Sequence, residues 1–247
     1  IVLLFLLPSA VFSQQVVNGF GVDVFVGRDY KPSDNFYFNY KGEPYQASCT
    51  ESQVIGGIVS FPFDFGVKRH RFTLAPAFEY RISNLSLNTG VPVKDGLEIK
   101  DGLSLSSTTY APMIQFMYRP HFYIGALHMS IGIGAGFKYI VANQLEIRDN
   151  TGAQLVKYDY KADPKDIRIV DIGAEYMAIK GLCIDPRISL DFYIMNSIML
   201  SVYAMFPDAV ASFSPQFKMH GQVGAGLVYM MRTKKFSEST ILQQYKK

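Results

Sequence analysis

Two residues near the middle of the chain, His128 and Ser130, are of the types that nucleophilic catalysis uses. A serine hydroxyl is a weak nucleophile until a neighbouring base takes its proton, and a carboxylate usually orients that base. The surrounding stretch, HFYIGALHMSIGIGAGFKYIVA, also carries four glycines, which resemble those of a phosphate-binding loop. Such a loop follows a strand and opens a helix. The chemistry therefore depends on the element that carries these residues.

This stretch alternates with a period of two. Mostly apolar side chains recur at every second position from Tyr123 to Val141, and the intervening positions hold His128, Ser130, three glycines and Lys138. A period of two is that of a β-strand with one apolar and one polar face. The pattern predicts a strand longer than those of most globular sheets, with His128 and Ser130 on its polar face.

Seven further segments alternate in the same way, three of them less regularly. The predicted strands are residues 16–27, 53–67, 71–82, 109–119, 123–141, 167–178, 183–193 and 218–231. Three links are only a few residues long, namely VKRH, RPHF and AIKG, whereas the links at about 28–52, 84–105, 143–164 and 195–215 are long. Long and short links alternate, with both termini on the side of the short ones. We expect an all-β, antiparallel, up-and-down barrel of eight strands.

Residues 195–216 leave the strand count open. Their apolar positions keep the outward parity of the preceding strand, so the segment either extends that strand to a turn at Pro207-Asp208 or adds a further pair of strands. The second alternative gives ten strands in place of eight.

A tall hairpin is expected beyond the fifth strand. The residues Asp149-Asn150-Thr151-Gly152 form a turn signal between two alternating arms. Strands five and six would therefore rise above the barrel.

A closed barrel is also the form in which a sheet can cross a membrane. After the first residues no run of eighteen apolar residues occurs, which disfavours a spanning helix. Hydrocarbon offers no hydrogen-bond partner, so a sheet within it must pair every backbone group between its own strands. The alternation of links is typical of outer-membrane barrels, whose short turns face the periplasm. Aromatic girdles are expected at Tyr80, Tyr110, Tyr118, Tyr123, Tyr139, Tyr176, Tyr229, Phe61, Phe63 and Phe65.

The two ends of the chain have their own compositions. The opening IVLLFLLPSAVFSQQ is an apolar run that ends in small residues, like the core and cleavage site of a secretory signal peptide. We expect residues 1–13 to be a signal peptide truncated at its start, 14–232 to be the barrel, and 233–247 to be a short periplasmic tail. The net charge of +3 is too small to indicate a nucleic-acid partner.

The interior of an eight-stranded barrel is wide enough only for side chains to fill it. The inward positions mix acids and bases, as a buried ion-pair network requires. They include Asp23, Glu79, Arg81, Gln115, Lys138, Asp171, Glu175, Asp185, Arg187, Asp191, Lys218 and His220. We expect a structural plug in place of a pore. Parity also turns His128 and Ser130 inward, so we predict no catalytic, cofactor or metal site, with this pair as the alternative.

The predicted topology separates the two cysteines. It places Cys49 in a long loop and Cys183 beside a short turn, at opposite ends of the barrel. A disulfide needs Cα atoms within about 7 Å of each other. We therefore expect two thiols that are not joined in a disulfide.

The first strand, NGFGVDVFVG, the short turns and the closing GQVGAGLVYMMR together resemble a family of small outer-membrane β-barrels of Bacteroidota, which includes PorT-like and OmpX-like proteins. The resemblance covers most of the chain after residue 13, but it is one of pattern and not of a specific motif. PorT-like members are associated with protein secretion machinery, but a resemblance of pattern does not carry that role across to this chain. An envelope or secretion complex is one setting in which such a barrel would act.

Three functions are compatible with these observations. The first is a non-enzymatic outer-membrane barrel that anchors, scaffolds or presents loops, with outer-membrane lipids and other envelope or secretion proteins as partners. The second is a lipid-modifying enzyme that uses His128 and Ser130. The third is a small-solute pore, which requires ten or more strands.

Overall fold

The computed structural model describes residues 17–28, 35–41, 43–67, 69–88, 91–92, 102–159, 181–195, 197–207, 210–211 and 221–231. The predicted signal peptide at 1–13, the predicted strand at 167–178 and the predicted tail at 233–247 lie outside these residues. Within the described ranges, no helix is long and apolar enough to cross a membrane.

All strands of the described residues belong to one antiparallel sheet. In chain order they are β1 (Val17–Gly27), β2 (Asn35–Tyr40), β3 (Glu43–Ser60), β4 (Phe63–Val67), β5 (His70–Leu87), β6 (Val91–Pro92), β7 (Leu103–Ile124), β8 (Leu127–Ile140), β9 (Ala142–Asp149), β10 (Gln154–Asp159), β11 (Gly181–Met195), β12 (Ile198–Met205), β13 (Val210–Ala211) and β14 (Gln222–Met231).

Eight of these strands close into a barrel, as the alternation predicted. Around the barrel their order is β1, β3, β5, β7, β8, β11, β12 and β14, and β14 pairs with β1 to close it. After a break at Phe61 and Pro62, β4 takes over the position of β3 between β1 and β5. Closure leaves no free edge within the barrel wall.

Following the paired residues once around the barrel shows how far its strands are staggered. A path that starts at Glu79 returns to the same part of the chain at Arg69, ten positions away. The residues passed are Ile58, Asp23, Gly226, Ser201, Asp191, Ser130 and His121. Such a stagger tilts the strands by about 40° to the barrel axis. One spiral of paired positions therefore carries many of the inward polar residues.

The two ends of the barrel differ. The end we call the turn end carries the chain's short links, at residues 68–69, 125–126 and 196–197, together with the start of β1 and the end of β14. The barrel strands on either side of each of the four long links end or begin at the opposite end, which we call the loop end. The predicted alternation of short and long links is thus confirmed.

The link predicted at RPHF was wrong. The strand β7 runs through these residues to Ile124, and the chain turns at Gly125-Ala126. Gly125 has a φ of +61°, a conformation that glycine adopts without steric cost. The two-residue turn shifts the parity of Tyr123, so this residue lies on the inward face of β7 and does not belong to the outer girdle.

The sixth and seventh barrel strands were also assigned wrongly. Gly181–Met195 pairs directly with β8 and is the sixth strand, and Ile198–Met205 is the seventh. The predicted link AIKG therefore joins no two barrel strands. A register shift between Tyr193 and Met195 keeps the parity of the chain unchanged through the turn. For this reason residues 198–206 resembled a continuation of the preceding strand.

The outer surface of the barrel wall is apolar. Exposed apolar side chains there include Val24, Ile55, Phe78, Ile114, Ile133, Ile188, Val202 and Leu227. Of the predicted girdle, Tyr80, Tyr139, Tyr229, Phe61 and Phe63 are exposed, and Tyr110, Tyr118 and Phe65 are partly exposed. Tyr176 lies outside the described residues. Near the turn end, Phe72 contacts Phe65, Phe116 and Tyr118.

Beyond the barrel, the sheet continues at the loop end as a second small layer, which we call the extension. It consists of β2, β6, β9 and β10 with the loop-end parts of β3, β5 and β7. Its inner face is apolar and buried, and comprises Tyr45, Ala47, Cys49, Leu85, Leu87, Leu103, Leu105 and Ile147. Because β2 and β10 come into contact, the sheet curls around this core.

Both cysteines lie towards the loop end. Cys49 is part of the extension core, and Cys183 is the third residue of β11, which starts at the loop end. The two thiols are buried and are not joined in a disulfide. The predicted absence of a disulfide is confirmed, whereas the expected placement at opposite ends was wrong because β11 runs in the opposite direction to the one predicted.

Replacing Leu105 by Asp should unfold the extension, because a carboxylate would be buried in its apolar core without a partner. Ser106→Asp is the matched control, since Ser106 is the next residue and faces outward. We expect limited proteolysis to cut the extension of Leu105→Asp and spare that of Ser106→Asp. The barrel of both variants should keep its heat-dependent shift in gel mobility. Equal protease resistance of the two variants would contradict the proposed core.

Candidate functional site

Towards the loop end of the lumen, a buried cation lies between two carboxylates. The ammonium of Lys138 on β8 lies 3.0 Å from Oε1 of Glu79 on β5 and 2.8 Å from Oδ2 of Asp185 on β11. Arg81 adds a longer contact of 3.9 Å from its Nε to Glu79. Lys138, Glu79 and Asp185 are almost completely buried. A buried charge is tolerated only when paired in this way.

A second ion pair joins distant strands. Arg187 on β11 donates to Oδ2 of Asp23 on β1 across 2.8 Å, and its guanidinium lies 3.6 Å from the ring centroid of Tyr203. A Cβ added at Gly226 would collide with the carboxylate of Asp23. The absence of a side chain at Gly226 thus makes room for the acid.

A third group lies closer to the turn end and is centred on Arg119. Its guanidinium lies 3.1 Å from Oδ2 of Asp191 and donates to Oγ1 of Thr73 across 2.7 Å. Thr73 in turn donates to Asp64. Ser201 donates to the other oxygen of Asp191 across 2.7 Å. Acids and bases therefore alternate along the lumen, as the mixed inward set predicted.

The predicted inward residues are confirmed where the structure describes them. Buried in the lumen are Asp23, Glu79, Arg81, Gln115, Lys138, Asp185, Arg187 and Asp191. Asp171, Glu175, Lys218 and His220 lie outside the described residues. Asp64, Arg119 and His121 are buried as well, although they are not among the predicted inward residues. Arg119 has the inward parity of the predicted strand 109–119, and His121 would have followed had that strand been continued to Ile124.

Replacing Lys138 by Met should destabilise the barrel by about 3–5 kcal/mol, because Glu79 and Asp185 would lose their shared cation in a buried site. Lys157→Met is the control, since Lys157 makes an exposed ion pair with Glu146, worth about 0.2–1 kcal/mol. Urea unfolding of the detergent-folded chain, followed by circular dichroism because the chain has no Trp, measures both. Adding Glu79→Gln and Asp185→Asn should recover part of the loss. Equal effects of the two lysine substitutions would refute the role of this network.

The structure places His128 and Ser130 on the inward face of β8, as predicted, but gives them different partners. Ser130 is fully buried, and its hydroxyl donates to Oδ2 of Asp191 across 3.0 Å. The Nε2 of His128 lies 2.8 Å from Nδ1 of His121. The serine is thus a donor to a carboxylate, and the histidine is bonded to a second imidazole. Neither side chain points to the outer, apolar surface of the barrel, from which a lipid substrate would approach.

His128 belongs to a stack of rings at the turn-end mouth of the lumen. Its ring lies 4.6 Å from that of Tyr123 and 4.2 Å from that of Tyr193, nearly parallel to both. The hydroxyl of Tyr193 lies 3.3 Å from Nε2 of His121 and 3.4 Å from Oγ of Ser130. Tyr123 is exposed at the mouth. These hydrogen bonds link the ring stack to the Arg119 group through Ser130 and Asp191.

Clusters of three or more metal-binding side chains are absent from the described residues. Among these residues, no three His, Cys, Asp or Glu side chains lie together in a way that could hold a metal ion. Any ion bound there would have at most two such ligands from the described part of the chain.

The hairpin of β9 and β10 in the extension confirms the predicted turn. The Oδ1 of Asp149 accepts hydrogen bonds of 2.9 Å from the backbone N–H groups of Thr151 and Ala153. Gly152 has a φ of +84°, which favours glycine. Next to the turn, Arg148 donates to Oε2 of Glu146 across 2.7 Å, and Lys157 lies 3.3 Å from Oε1. This ion-pair cluster joins the two arms of the hairpin.

The ion pairs of the hairpin should make its stability depend on pH. Hydrogen bonds from Arg148 and then from Lys157 hold the pKa of Glu146 below its ordinary value of 4.5. A lowered pKa in the folded state adds stability that is present above 4.5 and is lost as the pH falls through the folded-state value. An NMR titration of the Glu146 carboxyl should show the low pKa and its return towards 4.5 in Arg148→Gln. Arg28→Gln is the control and should leave this pKa unchanged, whereas an equal pKa in wild type and Arg148→Gln would contradict the assignment.

Comparison with known proteins gives few matches. No protein-family model matches the sequence, and no curated protein matches it. Among solved structures, the chain is similar to Ail, the attachment invasion locus protein of Yersinia pestis, with 10% identity and a TM-score of 0.40 over 88% of this chain and 99% of that one. It is also similar to the outer membrane protease OmpT from Escherichia coli, with 8% identity and a TM-score of 0.36 over 88% and 96% of the two chains.

A third similar structure is a major outer membrane protein from Thermus thermophilus, with 10% identity and a TM-score of 0.30 over 87% of this chain and 99% of that one. Similarities at these TM-scores carry no argument about function. The pairing of the strands itself defines the class of protein, a closed eight-stranded antiparallel β-barrel.

Proposed function

We propose that this chain spans the outer membrane of a Gram-negative cell, with both termini and the turn end in the periplasm. The exposed apolar wall and the aromatic side chains near its two ends support this location, because they suit hydrocarbon and its interfaces. A closed sheet satisfies its own backbone hydrogen bonds there. The short turns at one end and long links at the other favour the proposed orientation.

The protein acts in this membrane as a non-enzymatic anchor that holds the extension above the bilayer. The observation that carries this function is the uninterrupted passage of long strands from the barrel wall into a separately packed layer. Strand β7 has 22 residues, whereas about 9–11 are enough to span a bilayer. The surplus length continues into the extension, whose apolar core gives it a defined shape. A lumen filled by ion pairs leaves the barrel the role of a rigid support.

The proposed setting follows the family resemblance. Residues 1–13 would direct export as a signal peptide, and the pattern likeness to PorT-like and OmpX-like barrels favours a component of the cell envelope. Outer-membrane lipids are the proposed partners of the apolar wall. Other envelope or secretion proteins are the proposed partners of the extension.

The two alternative functions make different demands on the same residues. A pore was expected only with ten or more strands, and the wall has eight. A lipid-modifying enzyme would need Ser130 activated by His128, yet Ser130 donates to Asp191 and His128 is bonded to His121. The anchor therefore accounts for the most observations with the fewest additional requirements.

The anchor should neither conduct ions nor change lipid chemistry. We expect wild-type protein in a planar bilayer to give background conductance, with a porin as the positive control. We also expect cells carrying Ser130→Ala to have the same lipid A composition as wild-type cells. Stepwise channel currents would favour the pore, and altered lipid A would favour the enzyme.

The proposed location and orientation in the outer membrane are tested in the same cells. An epitope inserted between Asn150 and Thr151 lies in the exposed turn of the β9–β10 hairpin, so antibody should reach it on intact cells. Detection only after the outer membrane is permeabilised would contradict the proposed orientation. The conductance and lipid A measurements test the function independently of that orientation.

A further inference from the structure

The two histidines at the turn-end mouth, His121 and His128, lie on the two neighbouring strands of one hairpin. They belong to β7 and β8, which are joined by the turn at Gly125-Ala126, and both side chains face the lumen. The Nδ1 of His121 and the Nε2 of His128 are 2.8 Å apart. A single hydrogen bond explains this distance in the metal-free protein.

We propose that His121 and His128 form a two-nitrogen chelating site for a divalent transition-metal ion, Cu²⁺ or Zn²⁺. An imidazole nitrogen binds Zn²⁺ at about 2.0–2.1 Å, so two of them on one ion lie about 3 Å apart. The two nitrogens already have nearly this separation. An ion would replace the hydrogen bond once the two rings turn enough for both nitrogen lone pairs to converge on it, with the nitrogens staying about as far apart as they are now.

The surroundings of the pair support such a site. A histidine ligand usually donates its second N–H to a neighbouring oxygen, which fixes its tautomer and ring orientation. The Tyr193 hydroxyl lies 3.3 Å from Nε2 of His121 and can accept this bond. Its ring and that of Tyr123 hold the His128 imidazole between them. Both imidazoles are therefore positioned before an ion arrives, which lowers the cost of binding.

The proton balance of binding is simple. In the metal-free protein, one of the two facing nitrogens carries the proton of the hydrogen bond, and the metal replaces that proton. The proton passes to the other nitrogen of the same ring through solvent at the mouth, so each ring stays neutral and keeps one N–H. Water completes the coordination, because the described residues supply two nitrogen ligands and Tyr123 lies exposed beside them.

Nearby charges set the expected affinity. The guanidinium of Arg119 is balanced by Asp191 and Asp64, at 3.1 Å and 3.7 Å. The positive charge of Arg71 acts electrostatically on both imidazoles. Arg71 therefore opposes the binding of a metal cation between them. We expect Cu²⁺ to bind more tightly than Zn²⁺, following the general order of divalent metals at nitrogen sites. We also expect Arg71→Gln to strengthen binding of either ion.

The site went unrecognised in the sequence because of the misplaced turn. With a link predicted at RPHF, His121 belonged to no strand face and had no geometric relation to His128. Moving the turn to Gly125-Ala126 places both residues inward on paired strands. This hairpin geometry is independent of the proposed anchor function.

The test uses the detergent-folded full chain without a tag, titrated with Cu²⁺ and followed by electron paramagnetic resonance. We expect one bound ion per chain with hyperfine coupling to two imidazole nitrogens. His121→Asn and His128→Asn should each lose this signal, whereas Tyr193→Phe should weaken binding about tenfold. His70→Asn is the matched control, because His70 is an exposed histidine bonded to Tyr118 outside the pair. It should bind as wild type does.

Folding of each variant is checked by the heat-dependent shift in gel mobility. His121→Gln and His128→Gln serve as a second pair if the Asn variants do not fold. In parallel, Zn²⁺ should raise the unfolding temperature of wild type and of His70→Asn but not of folded His121 or His128 variants. Copper that binds equally well to these variants is adventitious and overturns the site. A wild-type signal without coupling to two imidazoles overturns it as well.

Discussion

The constraint on which this structure depends is the closure of the sheet. Each barrel strand pairs with two neighbours, and the stagger of ten positions accumulates because the last strand must meet the first. Closure fixes which positions point inward, so the parity of every strand becomes a property of the whole barrel. The ion pairs at Lys138 and Arg187, and the ring stack at His128, follow from those parities.

The molecule reverses its polarity along its axis. In the barrel the inner face carries the buried ion pairs together with some apolar side chains, and the outer face is apolar. In the extension the inner face is apolar, and outward positions such as Ser104 and Arg148 are polar. The same strands, above all β5 and β7, carry both patterns in succession. A single period of two therefore serves two environments, and the change of polarity marks the boundary between them.

Much of this fold could be predicted because alternation survives in a single sequence. Lys138, Glu79 and Asp185 were assigned inward from parity alone, and the structure brings them together. The errors arose where parity gives no information about direction. The register shift between Tyr193 and Met195 hid a turn, because it left the alternation unbroken. At Gly125-Ala126 the turn reversed parity a few residues later than expected, and so His121 was missed. Contacts between side chains on neighbouring strands, such as His121 with His128, required the positions of those turns.

The glycine at 226 has a consequence for how this protein can vary in evolution. Asp23 fills the space that a side chain at position 226 would need, and its carboxylate pairs with Arg187 three strands away in the barrel order. A larger residue at 226 is therefore tolerable only if position 23 becomes small. Loss of the acid at position 23 would leave Arg187 without its counterion. Substitutions at these three positions should appear together in descendants of this sequence, as a linked set inherited across three separate strands.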